Sequence, residues 1–297
     1  MAGAKLNPLL QKVALVRDDD FYMGLDDIAF RTCVQEKAHH SLEIQVCHAE
    51  HTGCEMFPQR PALVEHLLEL WDCRGLSHEL PEYRFARRLV DMANDYLNGR
   101  PIDLSPYAPR RLTPEEADRF DKILYGRRSV RAFDMERDVP DEMIDRLIDA
   151  ALWAPNGGNM QPCRFLVIRE KNEPGLFRGS DIPGGPVHIV IAVDTRGSRV
   201  MAQLHRGTVP PDEQLLSHRN TLLNCGAAGQ NIVLAAHALG LSGVWLTFAG
   251  GMTERIARRF DLPDYIHLMT FIDVGYGVQT PVPPPKSTVS EAVLARV

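Results

Sequence analysis

Three arginines within five residues could bind an anionic ligand in the second half of the chain. The segment is Arg127-Arg128-Ser129-Val130-Arg131, with a hydroxyl beside the guanidinium groups. Arginine presents a planar fork of donors that matches the geometry of phosphate oxygens. Taken alone, the segment is also typical of a solvated basic surface, and that is the simpler interpretation.

A second polar segment lies about twenty residues further on. Residues 154–162 read Ala-Pro-Asn-Gly-Gly-Asn-Met-Gln-Pro. The amides of such a loop supply both donors and acceptors, and adjacent glycines free the backbone to approach a ligand. The segment therefore suits hydrogen bonding to the edge of a planar heterocycle. An ordinary helix-ending turn is the alternative.

Four soft ligands lie within eight residues in the first quarter of the chain: Cys47, His48, His51 and Cys54. Zinc takes four Cys or His ligands in a tetrahedron, so these residues predict a zinc or iron site. The six-residue gap between the two cysteines is wider than usual zinc spacing, and the compact ferredoxin spacing is missing. Reduced cysteines in the core of a helical cap are the simpler alternative.

Composition limits the classes of function. The 297 residues carry 33 Lys+Arg against 39 Asp+Glu, a net charge of −6, which disfavours non-specific nucleic-acid binding. No apolar run approaches the roughly 18 residues of a membrane span. Residues 1–5 lack the apolar stretch of a signal peptide. We therefore expect a soluble cytoplasmic protein with neither nucleic-acid nor membrane partners.

Prolines and a glycine in residues 98–114 divide the chain into two predicted domains, 1–112 and 113–297. The first is predicted to be a mostly helical extension of unknown role, either an appended module or a cap on the same globule. Helices are expected at Pro61–Trp71 and Glu82–Leu97, with a short alternating strand at Ser41–Val46.

The second domain has the pattern of an α+β fold. Helices are expected to begin at Thr113-Pro114 and Val139-Pro140, and a long apolar helix covers Asn220–Leu239. Apolar runs predict strands at residues 165–168, 187–193, 244–248 and 268–274. The polar segment 196–218 is expected to be a mobile loop, and the prolines at 281–285 to extend over the surface.

In this order and spacing, the two polar segments resemble the nitroreductase family of FMN-dependent oxidoreductases. That family begins with an Arg-Arg-Ser-x-Arg motif, continues with a Val-Pro helix opening, and then has an Ala-Pro-to-Gln-Pro loop. Residues 229–241 resemble its central helix, and Val274-Gly275-Tyr276-Gly277 resembles its turn after the last core strand. The resemblance covers roughly residues 115–297 and leaves the extension unassigned.

The resemblance implies a fold, an assembly and a cofactor. The fold would be a sandwich with a mostly antiparallel central sheet flanked by helices, in a homodimer with FMN at the interface. The residues expected to hold the phosphate, ribityl chain and pyrimidine edge are Arg127, Arg128, Ser129 and Arg131. Lys286 would contact the phosphate, with Arg296 as the second candidate.

Other contacts implied by the resemblance come from two further segments. Pro155, Asn156, Gly157 and Asn159 would approach the flavin from the partner subunit. Leu246 and Thr247 would face flavin N5. Thr247 and Arg131 are the predicted catalytic residues, Arg131 because positive charge near N1 and O2 stabilises reduced flavin.

The function implied is hydride transfer from NAD(P)H through flavin N5 to a small electron-poor acceptor such as a nitroaromatic or a quinone. One alternative is a dedicated flavin reductase or a dehalogenase of a phenolic substrate. A non-catalytic flavin or metal sensor is another. In the family, the region equivalent to residues 196–218 often shapes the substrate pocket, so His205, Arg206 and His218 are candidate substrate contacts, with solvated loop residues as the simpler alternative.

Overall fold

The four predicted strands form one antiparallel sheet in the computed structural model, which describes residues 17–179 and 184–297. They are β1 (Cys163–Arg169), β2 (Val187–Asp194), β3 (Ser242–Leu246) and β4 (Ile266–Gly275), in the order β1-β2-β4-β3. All eight residues of β2 are buried. A continuous apolar run is the expected sequence of a strand covered on both faces.

Helices cover both faces of the sheet. One face packs against α7 (Asp141–Leu152) and α10 (Arg219–Ala238), through Val187, Ile189, Ile191 and Val193 of β2. The alternate residue Val190 packs with Phe271 on the other face, against α11 (Met252–Arg259). The expected α+β class with a mostly antiparallel sheet is confirmed.

The helix preceding the arginine segment, α6 (Pro114–Gly126), starts as its sequence predicts. The Thr113 hydroxyl accepts from the Glu116 backbone N–H, and the Glu116 carboxylate accepts from the Thr113 N–H, which forms a capping box. The remaining helices of this half are α8 (Arg196–Arg206), α9 (Asp212–Leu216) and α12 (Val289–Ala292). Residues 281–285 have no regular structure and lie on the surface, as expected.

The described part of the extension is helical. Its elements are α1 (Asp19–Met23), α2 (Asp27–Glu36), a π-helix (Lys37–Glu43), α3 (Ile44–Thr52), α4 (Gln59–Cys73) and α5 (Pro81–Leu97). The strand predicted at Ser41–Val46 is wrong. Ala38, Leu42, Val46 and Ala49 are all buried, and this spacing of three and four residues is helical. Six alternating residues are too few to distinguish a strand from a helix.

The loop expected at residues 196–218 is also corrected, because it contains α8 and α9. Val200, Met201 and Leu204 of α8 are buried in the same hydrophobic cluster as Phe30 and Trp71 of the extension. The extension therefore packs directly on the second half of the chain. The division of the chain into two domains near residue 112 stays a prediction.

The described residues contain no helix that is long and apolar enough to cross a membrane. Residues 1–5, on which the signal-peptide expectation depends, lie outside the described residues.

Candidate functional site

The arginine segment is fixed between two parts of the sheet. The Val130 N–H donates to the Gly243 carbonyl of β3 (3.2 Å), and the Asp134 N–H donates to the Tyr276 carbonyl after β4 (2.8 Å). Two apolar side chains, Val130 within the segment and Phe133 just after it, are buried against Val244. The arginine segment consequently lies along β3, an edge strand of the sheet.

The arginines line a cavity of about 440 Å³ together with the C-terminal tail. Arg127, Arg128, Ser129, Arg131 and Lys286 all contribute to its wall. None of the described residues lining this cavity is acidic. Four cations with no carboxylate among them make the cavity suitable for a doubly charged phosphate.

Hydrogen bonds that involve the backbone show that Arg128 and Arg131 have different roles. Arg128 donates to the carbonyls of Tyr125 (2.6 Å) and Arg127 (2.8 Å), where its charge also complements the C-terminal end of α6. The Arg131 backbone N–H donates to Gln279 Oε1 (3.0 Å). Arg128 is therefore partly committed to capping the helix, while Gln279, which the sequence did not indicate, positions Arg131.

The amide-rich loop is held in one conformation by its own side chains. Asn156 Oδ1 accepts from the Gln161 N–H (2.8 Å), and the Gln161 side-chain amide donates to Asn159 Oδ1 (2.7 Å). Asn224 of α10, another residue that sequence reasoning missed, accepts from the Gly157 N–H (3.1 Å). Asn159 and Gln161 both have positive φ of 49°, a backbone conformation that asparagine tolerates better than most residues.

Among the described residues, the loop and the arginine segment line different cavities. Pro155 and Asn159 line a cavity of about 890 Å³ beside the extension, and Gly157 lines another of about 520 Å³. Neither Leu246 nor Thr247 lines the arginine cavity. Thr247 is exposed just beyond β3, and the Leu246 carbonyl accepts from the Thr270 hydroxyl (2.5 Å).

The structure does not assemble the predicted metal site. Cys47 and His51 are exposed on α3, whereas Cys54 is buried beyond the end of that helix at Thr52. Across residues 17–179 and 184–297, no three His, Cys, Asp or Glu side chains are grouped so that they could hold a metal ion. The zinc or iron expectation for these residues, which include His48, is therefore not supported.

The chain combines an antiparallel α+β fold with a cationic cavity at one edge of its sheet, and no described residue that lines this cavity is acidic. These features define a class of protein that can bind a ligand bearing a phosphate. The family model described as the nitroreductase family matches residues 124–178 and 182–276. The chain belongs to the nitroreductase family. The resemblance inferred from the sequence is confirmed, as is the enzyme class, an oxidoreductase.

Relatives with known names agree with this assignment. A protein of Methanothermobacter thermautotrophicus, provisionally named NADH dehydrogenase/NAD(P)H nitroreductase, is 30% identical over 162 residues, which are 52% of this chain and 75% of the relative. Iodotyrosine deiodinase of Hydra vulgaris is 42% identical over 73 residues, 23% of this chain and 26% of that protein. A solved nitroreductase-like protein from Streptococcus mutans has a TM-score of 0.50 at 21% identity, covering 61% of this chain and 98% of that one. This last likeness concerns the fold alone.

Proposed function

We propose that the protein is an FMN-dependent NAD(P)H oxidoreductase that reduces a small electron-poor acceptor. The observation that carries the proposal is the acid-free cavity lined by Arg127, Ser129, Arg131 and Lys286. When bound, FMN supplies hydride transfer between NAD(P)H and the acceptor. The cavity fits its phosphate, because four cations compensate the two negative charges of that group.

The role proposed for the chain is to bind and orient the cofactor. Arg127 and Lys286 line the cavity from different parts of the chain, one from the end of α6 and one from the tail. Arg131 remains the candidate for stabilising negative charge on the flavin ring. For Leu246 and Thr247, contact with the ring stays a prediction.

FMN titration, followed by the quenching of flavin fluorescence, tests the cofactor assignment. Arg127→Gln and Lys286→Gln should each weaken FMN binding by about tenfold or more, since each removes a charge-assisted hydrogen bond. Arg258→Gln is the matched control, because Arg258 is exposed on α11 and does not line the cavity. Unchanged affinity in both cavity variants would refute the assignment.

Rapid mixing with NADH and NADPH distinguishes an enzyme from a sensor. Bleaching of the flavin absorbance by either nucleotide supports turnover, and 4-nitrobenzoate should restore the absorbance. A flavin that binds but is bleached by neither nucleotide would instead support the sensor. Reductive dehalogenation is the second candidate, because the similarity to Hydra iodotyrosine deiodinase is 42% over its matched segment. Iodide release from 3-iodotyrosine tests it.

We further propose a homodimer. The arginine segment and the loop line different cavities in one chain, as expected if two chains complete each flavin site. Large apolar side chains are exposed as well, among them Trp153 (81%) beside the loop and Leu223 (68%) on α10. Light scattering should give a dimer that Leu223→Glu weakens together with FMN affinity. A wild-type monomer that binds FMN fully would contradict the proposal.

A further inference from the structure

A cavity between the extension and the rest of the chain is lined by one arginine and three histidines. Its volume is about 520 Å³, enough for a small organic molecule. Five helical elements, α2, the π-helix, α8, α9 and α10, and the amide-rich loop contribute to its wall. Its titratable residues are Glu36 and His40 of the extension, His205 and Arg206 of α8, and His218, which precedes α10. We call it the extension cavity.

The single acid in this wall is compensated within the protein. Glu36 is only 3% exposed, and its carboxylate lies 3.3 Å from Lys37 Nζ, 3.2 Å from His40 Nδ1 and 3.8 Å from His205 Nε2. Burial alone would raise the pKa of Glu36, but the hydrogen bond from His40 and the charge of Lys37 hold its pKa below the ordinary value. The ionised carboxylate is therefore paired within the protein, by the hydrogen bond from His40 and by the charge of Lys37.

His40 connects the cavity to the loop expected to approach the flavin. A Cβ at Gly158 would lie 3.2 Å from His40 Cε1, so the imidazole rests directly against the loop backbone. Gly158 has φ +60°, which favours glycine in any case. Nδ1 donates to the ionised Glu36, so Nε2, on the opposite side of the imidazole, donates to a ligand oxygen only when the ring carries both protons.

The other walls provide further donors and an apolar surface. His218 Nδ1 accepts from the Asn220 N–H (3.3 Å), so the neutral ring carries its proton on Nε2 and is a donor there. Met160, Met201 and Leu215 supply the apolar part of the lining. A π-helix begins at Lys37, directly after Glu36, and such irregular turns are frequent at functional sites.

We propose that the extension cavity binds the electron acceptor, a small molecule carrying a carboxylate or phenolate oxygen, and that His40 and His205 recognise that oxygen. This inference rests on the proposed function. It gives the extension, which lies outside the residues matched by the family model, a specific role: one wall of the substrate site.

Calorimetric titration of the FMN-loaded protein with 4-nitrobenzoate and its neutral analogue 4-nitrobenzamide tests the proposal. The wild type should bind the benzoate about tenfold more tightly. His40→Gln and His205→Gln should each weaken benzoate binding by about tenfold and benzamide binding by less than twofold. His66→Gln, at a half-exposed residue of α4 outside the cavity, should change neither.

Three results would overturn the inference: equal wild-type affinity for the two probes, equal losses for both probes in the variants, or an equal effect of His66→Gln. His205 is half-exposed, so its variant does not depend on the refolding of a buried site. Flavin reduction by NAD(P)H without selectivity for the benzoate would refute this inference alone. Selective binding without flavin reduction would refute the acceptor role together with the proposed function.

Discussion

Gly229 of α10 lies where any side chain would collide with an indole. A Cβ built there would be 2.7 Å from Cη2 and Cζ2 of Trp245 and 3.0 Å from Cε2. Carbon atoms pack best at about 3.5–4.0 Å, so Gly229→Ala requires the ring to move by about 1 Å. The ring is anchored, because Trp245 Nε1 donates to the Thr270 hydroxyl (2.7 Å). That hydroxyl in turn donates to the Leu246 carbonyl at the end of β3.

Three contributions decide the size of the effect. Overpacking typically costs about 1–3 kcal/mol, and losing the indole hydrogen bond costs about 1 kcal/mol. Replacing glycine by alanine within a helix returns about 0.5–1 kcal/mol. Since Trp245 is 38% exposed and has some freedom to move, we expect Gly229→Ala to lower the free energy of unfolding by about 2 kcal/mol.

The matched control lies one turn earlier on the same helix. A Cβ at Gly226 meets nothing within 4 Å, so Gly226→Ala should raise the free energy of unfolding by about 0.5–1 kcal/mol. Urea unfolding of both variants measures the difference. In a double-mutant cycle, Trp245→Leu should relieve most of the cost at Gly229. Equal stabilities of the two alanine variants, or no coupling to Trp245, would refute the reasoning.

Two further predictions concern buried and partly buried charges. Asp273 accepts from His188 Nδ1 (2.6 Å) in the core, so Asp273→Asn should lower the free energy of unfolding in urea by about 3 kcal/mol, and an unchanged value would contradict this. The hydrogen bond from Arg199, helped by one from His267, lowers the pKa of Asp212 despite its desolvation. The stability that Asp212 contributes is therefore fully present above about pH 4 and is lost as the pH falls through the lowered pKa. Asp212→Asn should lose less stability than the wild type between about pH 5 and pH 3, and an equal loss would exclude Asp212 as a contributor.

Local patterns predicted most of the sheet and most of the helices. The run predicting a strand at residues 268–274 corresponds to β4, and the Thr113-Pro114 start was correct at the residue level. The predictions of a strand at residues 41–46 and of a loop at residues 196–218 were wrong for the same reason. At residues 41–46 and in α8 the buried positions follow helical spacing, but the polar residues between them hide the pattern until the packing partner is known.

For the candidate site, the sequence likewise indicated the local motif but not the distant residues that support it. The arginines form a recognisable local motif, and the structure brings five of the predicted side chains, Lys286 among them, to one cavity. Their supports were not predictable. Gln279 lies 148 residues from Arg131, and Asn224 lies 67 residues from Gly157, so only the folded chain brings each pair together.

The extension is expected to be part of the same folding unit, and its removal provides the test. Val200, Met201 and Leu204 of α8 are buried against it and would become exposed in a chain beginning at Thr113. Burying one such side chain is worth at most about 1.5–3 kcal/mol, so three together approach the total stability of an ordinary domain. We expect the truncated chain to aggregate or to bind a hydrophobic dye, and Met201→Asp in the full chain to be destabilised for the same reason. A monodisperse truncated protein with the unfolding midpoint of the full chain would mean that residues 1–112 are an appended module, and the shared cluster would then contribute little to stability.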